Sequence, residues 1–322
     1  MPSVPEVDIS IVVPTFNRAG MLRHALESLV SQETADAFTF EIVVVDDGSS
    51  DGTAAVIRET VDNHPTVSWQ YIYQEHAGFS AALNRGLAAA RGPWLTFFDD
   101  DQLADPRWLD GLYQTALDKG VDCVDGAVAL ELPDNPPFYP GPRTRAFFGE
   151  KLFSKNPGPR FLKDYKGTGN LLIKRSLIIE AGGFDTNLSA CEDTDLFWRL
   201  EKLGISAWFA PGALIRHIVP AVRLDGEALK RACYRRAFTF AGVVRKNAGP
   251  GILALLALQR LGILLFRDSV PYLARRLFGP KAQLIDTKIA IWWTFAFLRG
   301  SLAQLLPRIF PQKHVSRVLF SP

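Results

Sequence analysis

The apolar positions change their period along the chain. "ISIVV" (Ile9–Val13) is a continuous apolar run closed by Pro14, which reads as a strand buried on both faces. "MLRHALESLVSQ" follows, with Leu22, Ala25, Leu26, Leu29 and Val30 at helical spacing. The alternation repeats. Strands are predicted over Phe40–Val45, Val67–Tyr73 and Trp94–Phe98, with a further one in "VDCVDGAVAL". Helices are predicted through "SAALNRGLAAARG" and over the segment opened by Asp105-Pro106 and stopped by Gly120. Such alternation predicts an α/β fold, a mostly parallel sheet sandwiched by helices with right-handed crossovers. From Leu132 to Arg160 the chain turns Pro-rich, which predicts a long functional loop, either a lid or an acceptor loop. Regular structure resumes with "GTGNLLIKRSLIIEAGGFD", the helix "EDTDLFWRLEKLG", and the apolar strand "ISAWFAP" leading to "GALIRHIVP".

After about Arg223 the pattern becomes long amphipathic segments without acid clusters, so two regions are predicted, 1–222 and 223–322. "ILALLALQRLGILLF" holds Gln259 and Arg260 at its centre, and "IAIWWTFAFLRGSLAQLLPRIF" comes later. Neither apolar run reaches the roughly 20 uninterrupted residues of a clean membrane span. Basic ends combined with Trp, Phe and Leu instead predict helices lying in a membrane interface. A helical appendage in water and a true span are the alternatives.

Charge adds one exclusion. The 36 Lys and Arg residues against 34 Asp and Glu leave no global electrostatic case for nucleic acid. The acid clusters lie before residue 200, whereas the segment from Arg216 onward is rich in Arg and Lys. Three cysteines (Cys123, Cys191, Cys233), far apart and without a CxxC pair, argue against a disulfide framework and suit a reducing compartment. "MPSVPEVDISIVV" lacks the basic start of a signal peptide. The expected location is therefore cytoplasmic, peripheral on the inner face of a membrane.

The candidate chemistry sits at strand ends. Open α/β sheets bind ligands beyond the carboxyl ends of their strands, where Pro14-Thr15, Asp46-Asp47 and Asp99–Asp101 all fall. "WLTFFDDD" raises the sharpest question, because two ionised carboxylates about 5 Å apart repel by roughly 3 kcal/mol at an effective dielectric of about 20. A hard divalent cation, Mn²⁺ or Mg²⁺, bridging carboxylates to substrate phosphates would offset that cost. In an extended chain Asp99 and Asp101 point the same way and Asp100 elsewhere, as a DxD pair requires. A solvated strand end or a helix cap is the plainer alternative for these acids. Asp46 and Asp47 fit either capping of the turn "DDGSSDGT" or contacts to base and ribose, with Asp51 in the turn itself. No GxGxxG or GxxxxGK[ST] is present, so phosphates would depend on metal.

Together "VVPTFNR", "VVVDDGSSDGT", "AGFSAALNRGLAAARGPWLTFFDDD", "GGFD" and "CEDTDLFWRL" resemble the inverting family-2 glycosyltransferases of GT-A fold, over about residues 8–220. The resemblance implies that Pro14, Thr15, Asn17 and Arg18 surround the nucleotide, and that Asp47, with Asp46, meets base and ribose. It implies a metal-binding pair in Asp99 and Asp101, with Asp100 on the sugar or ribose. Asp193 would be the general base, supported by Glu192, and His217 would lie near the metal or diphosphate. Many relatives carry Arg before the Asn of an RNxG motif; here Leu83 precedes Asn84 and Arg85 follows it, which puts the diphosphate contact in doubt. Gly169, Asn170 and Trp198 are candidates for the acceptor side, while Asp195 is expected to pair with Arg199. Core packing is the plainer alternative for Trp198 and Trp208, as is a satisfied core position for His217.

The expected activity is metal-dependent sugar transfer from a nucleotide-diphosphate donor, UDP-linked, to a glycan or lipid-linked acceptor. A sugar-nucleotide nucleotidyltransferase and a non-catalytic nucleotide-sugar-binding scaffold are the rivals. The first would carry a Gly-rich basic loop after the first strand, which "PTFNRAGM" does not offer. Retained Asp99, Asp101 and Asp193 speak against the second.

Overall fold

The computed structural model describes residues 7–152, 157–160, 167–278 and 281–311. These fall into two compact units. The first holds the described residues of Met1–Glu131, Glu150–Thr186 and Glu192–Ile218; the second holds those of Leu132–Gly149, Asn187–Cys191 and Val219–Pro322.

In the first unit the strands are β1 (Ile9–Thr15), β2 (Phe40–Asp46), β3 (Ser68–Tyr73), β4 (Trp94–Phe97), β5 (Gln102–Ala104), β6 (Cys123–Glu131), β7 (Gly158–Arg160), β8 (Leu171–Lys174) and β9 (Ala207–Ile218). Its helices are α1 (Ala19–Val30), α2 (Thr53–Asn63), α3 (Phe79–Ala89) and α4 (Trp108–Lys119), then α6 (Arg175–Glu180) and α7 (Glu192–Lys202). The sheet runs β3-β2-β1-β4-β8-β6-β9-β5, with β7 also on β9. The β3-β2-β1-β4 half is parallel, as the alternation predicts. Beyond it the pairing is mixed: β8 lies antiparallel between β4 and β6, β6 pairs β9 in parallel, and β5 and β7 add antiparallel to β9.

Alternation of side chains divides the core between the two faces of this sheet. Ile9, Ile11 and Val13 pack with Leu22, Leu26 and Leu29 of α1 and with Trp108 and Leu112 of α4. Val12, Val43 and Val45 pack with Leu83 of α3 and with Phe197 and Leu200 of α7. The helical stripe read from α1 is the buried one. Gly86 lets α3 approach β1, since a Cβ there would stand 2.2 Å from Val12 Cγ1.

The second unit contains α5 (Pro142–Phe147), α8 (Gly226–Ile263), α9 (Ser269–Phe278) and α10 (Lys281–Leu305), with a π-helical stretch at Leu264–Asp268 joining α8 to α9. The Pro-rich stretch is therefore not structureless, carrying α5 and β7, although 153–156 lie outside the described residues. The 132–149 segment is tied to the helices by two carboxylates. Arg143 Nη2 donates to Asp268 at 2.8 Å, and Thr144 donates to Asp286 through N–H at 2.8 Å and hydroxyl at 3.0 Å. Asp225 caps α8 by accepting from Glu227 and Ala228 N–H. At Gly249, φ 86° and ψ 174° break the helical backbone, just before Pro250.

Helix Gly226–Asp268 has a stretch with mean hydropathy 1.7 and is long and apolar enough to cross a membrane by length and composition. The apolar run itself is still interrupted at Gln259 and Arg260. One side of the α8–α9 run is buried at Leu253 and Leu264, while Leu255, Leu258, Phe266, Val270 and Leu277 are 62%, 68%, 84%, 63% and 70% exposed.

Candidate active site

The strand ends do converge. β1 and β4 are neighbours in parallel register, so Thr15 at the end of β1 reaches the acids that follow β4. Thr15 Oγ1 donates to Asp100 Oδ2 at 2.8 Å. Arg18, just before α1, donates from one nitrogen, Nη1, to both Asp100 Oδ1 and Asp101 Oδ2 at 2.9 Å. The extended-chain expectation fails here. The acids lie in a turn closed by Gln102 N–H to Asp99 carbonyl at 3.1 Å, which sends Asp100 and Asp101 to the same guanidinium and turns Asp99 away.

Asp99 is held by Gln102. The Gln102 amide donates to Asp99 Oδ2 and accepts from the Asp99 N–H, both at 3.1 Å. Gly169 lies against this pair; a Cβ on it would stand 2.5 Å from Gln102 Nε2 and 2.7 Å from Asp99 Oδ2. Burial pushes the Asp99 carboxyl up to about 8, the charges of Asp101 and Asp100 add to this, and Arg18 opposes it. Asp193 also raises it. Burial likewise raises Asp100 despite Arg18. The repulsion within the acid run is thus relieved by a shared guanidinium and by the Thr15 hydroxyl.

β5 pairs antiparallel with β9, opposing Gln102 to His217, and this ladder brings His217 Nε2 to 3.6 Å from Asp101 Oδ1. Two ligands each about 2.1 Å from an octahedral ion stand roughly 3.0 Å apart when cis. Asp101 and His217 therefore need only a small adjustment to share one. Among the described residues no three His, Cys, Asp or Glu side chains form a ready chelate, so Asp99, Asp101 and His217 are not brought into one shell. A divalent ion here would rely on substrate phosphate oxygens for its remaining ligands.

Asp193 occupies the first turn of α7. Its Oδ1 accepts from the Thr194 N–H at 2.6 Å, and a Cβ on Gly167 would stand 3.7 Å from its Oδ2. Glu192 opens the helix beside it, and the expected Asp195–Arg199 pair is present at 2.9 Å. The Gly167–Asn170 segment thus runs past Asp193 at one end and Asp99 further along, bringing the candidate base and the acid run into one neighbourhood.

Several predicted nucleotide-binding residues make contacts within the protein. Asp47 is buried and its carboxylate accepts three hydrogen bonds from the 74–78 loop, from Gln74 Nε2 (2.7 Å), Ala77 N–H and Gly78 N–H (each 2.9 Å), while His76 Nδ1 lies 2.9 Å from Oδ2 and 3.1 Å from the Asp47 carbonyl oxygen. About four lone-pair sites are all a carboxylate has. Asp46 accepts from the Ser49 N–H at 2.8 Å and the Tyr71 hydroxyl at 3.1 Å. Asn17, at φ 51°, accepts from the Ser50 N–H at 2.8 Å, while its own N–H donates to Ser49 Oγ at 2.9 Å. Asp51 caps the turn, as expected. Pro14 is buried within β1.

Asn84 makes a reciprocal pair with the Phe184 backbone at 2.8 Å on each side, which ties α3 to the GGFD turn. Arg85 is exposed on α3. Asn170, a candidate for the acceptor side, is 1% exposed. Between Gly126 and Ala127 the β6–β9 register slips. The Asn170 amide donates to the carbonyls of Ala127 (2.8 Å) and Ala213 (3.2 Å) at this bulge and accepts from Trp108 Nε1 at 2.6 Å. Trp198 is half-buried on α7, and Lys119 lies 5.6 Å from the centre of the Trp208 ring.

Sequence reasoning missed Gln102 and His76. Gln102 directly follows the acid run, and that adjacency was its only signal. His76 stacks on Phe16 with ring centres 4.3 Å apart, a contact between residues sixty positions apart that no local pattern announces.

A family model described as "Glycosyl transferase family 2" matches residues 10–182. Glycosyltransferase AglE of Haloferax volcanii is 29% identical over 224 residues, 69% of this chain and 70% of AglE. Pre-mycofactocin glycosyltransferase of Mycobacterium tuberculosis is 29% identical over 218 residues, 65% of this chain but 42% of that protein. Among solved structures, mannosyltransferase PcManGT from Pyrobaculum calidifontis, in complex with GDP-Man and Mn²⁺, superposes with a TM-score of 0.62 at 18% identity, covering 94% of this chain and 88% of that one. S. aureus TarS 1–349 in complex with UDP-GlcNAc gives 0.57 at 16% identity, covering 97% and 88%. These structures share the GT-A fold with this chain.

Proposed function

The chain belongs to glycosyl transferase family 2, and on that premise we propose that it is a metal-dependent inverting enzyme. In this reading it moves a sugar from a nucleoside-diphosphate donor, a UDP-sugar, to a glycan or lipid-linked acceptor. The observation that carries this is the Gly167–Asn170 segment, which passes Asp193 at Gly167 and Asp99 at Gly169 and so brings the candidate base and the acid run into one neighbourhood. Asp193 takes the proton of the acceptor hydroxyl as that oxygen attacks the anomeric carbon, and the diphosphate leaves from the opposite face. A divalent ion held by Asp101 and His217 would supply charge stabilisation for the departing diphosphate. The Asp100 and Thr15 pair lines the donor side, and Glu192 supports the base. The complexes of PcManGT with GDP-Man and Mn²⁺ and of TarS with UDP-GlcNAc support the donor class.

Asp193→Asn tests the base. Transfer should fall at least about a hundredfold, with Mn²⁺-dependent UDP binding by calorimetry nearly unchanged. Normal turnover in that variant removes Asp193 from the role. Turnover that releases pyrophosphate rather than a nucleoside diphosphate would mean a nucleotidyltransferase, and no turnover with any of a panel of UDP- and GDP-sugars would mean a binding scaffold.

The proposal extends to location: the exposed face of α8 and α9 lies on an anionic lipid surface at the cytoplasmic leaflet. Its apolar side chains are accompanied by exposed Arg267 and Arg276, the charge that such a surface attracts. Membrane residence suits a lipid-linked acceptor.

A further inference from the structure

Arg18 is placed where a cation is wanted. Its Nη1 bridges Asp100 and Asp101, whose side chains are 7% and 8% exposed, while its own is 43% exposed. It stands just before α1, in the loop that leaves β1. The guanidinium thus lies over the carboxylates from the solvent side. Asp101 has one oxygen toward Arg18 and the other toward His217. A divalent ion reaching Asp101 meets a positive charge already bound to the same carboxylate. The conflict is electrostatic more than steric, since a carboxylate oxygen has two lone pairs.

We propose that Arg18 is an exchangeable counter-cation: it neutralises Asp100 and Asp101 before metal enters, opposes metal binding on its own, and transfers to the donor's diphosphate when metal and nucleotide arrive together. The inference rests on the metal-dependent reading above. Its consequence is positive coupling between metal and nucleotide. The nucleotide brings two anionic phosphates that engage both the ion and the displaced guanidinium, so each ligand removes a cost that the other faces alone. Guanidinium suits this task because its fork matches carboxylate and phosphate oxygens alike.

The test is Mn²⁺ titration of wild type, Arg18→Gln and Arg18→Lys, followed by calorimetry and by the electron paramagnetic resonance of free Mn²⁺, with and without UDP. Thermal unfolding of each variant confirms that it is folded. Arg18→Gln should bind Mn²⁺ alone about tenfold more tightly, because one nearby positive charge is gone. The gain in Mn²⁺ affinity on adding UDP should shrink at least about fivefold in that variant. Arg18→Lys, which keeps the charge, should bind Mn²⁺ alone as weakly as wild type. Folded Arg18→Gln with unchanged or weaker Mn²⁺ affinity overturns the exchange while leaving the metal-dependent reading standing. Wild type that binds no Mn²⁺, with UDP present or absent, overturns both.

Discussion

The two units handle polar and apolar groups in opposite ways. In the sheet unit, several carboxylates go under cover and find donors: Asp47 has three, Asp100 has Thr15 and Arg18, and Asp125 on β6 pairs with Lys151 at 2.5 Å. Its apolar side chains are buried on both faces. In the helical unit the carboxylates Asp268 and Asp286 are anchored in the same manner, but Leu255 and Leu258 of α8 and Val270 and Leu277 of α9 are exposed. The first pattern holds polar groups in fixed positions where the dielectric is low. The second costs free energy in water and becomes favourable only when the face is covered. Composition alone would not separate the two, since both are rich in Leu, Val and Phe.

The contrast can be broken at its strongest point first. Phe97 is 1% exposed and meets Phe184 edge-on at 5.1 Å, so Phe97→Ala should lower stability by about 3–5 kcal/mol in urea unfolding. A loss below 1 kcal/mol would deny that the sheet unit is held by its buried faces.

Asn170→Ala comes next. It leaves the Trp108 N–H and two bulge carbonyls without a partner, at an expected cost of about 2–4 kcal/mol. An Asn170→Ala protein as stable as wild type, but impaired only in acceptor affinity, would put Asn170 on the acceptor side.

The smallest effect on stability belongs to the other unit. Leu258→Gln and Phe266→Gln together should change unfolding by less than about 0.5 kcal/mol each, because neither side chain is buried. The same pair should weaken co-sedimentation with phosphatidylglycerol vesicles at least about fivefold. Undiminished sedimentation would detach this face from the lipid surface.

The sequence announced what local period and turn chemistry control. The strands ending at Pro14-Thr15, Asp46-Asp47 and the acid run were readable because apolar runs, Gly-Ser turns and acids follow one another within a few residues. The helix stop at Gly120 was readable too, and it adopts the left-handed conformation glycine favours. What stayed hidden depends on long-range register. His217 reaches Asp101 only because β5, three residues long, adds antiparallel to β9. Asn84 stands at the Asn of an RNxG-like stretch and Asn170 beside Gly169, but what they bind within the protein is not local. Their partners, the Phe184 backbone and the carbonyls of the β6–β9 bulge, exist only once the chain has folded. The acid run itself was misread in direction, since alternation holds in a strand and β4 ends at Phe97.

Gly169 offers a graded handle on the reaction centre. Each carbon placed there wedges into the gap between Gln102 and Asp99, so Ala, Ser and Val form a series of increasing thrust on a single carboxyl group. Turnover plotted against side-chain volume along that series would act as a ruler, measuring how many tenths of an ångström Asp99 can yield before transfer stops.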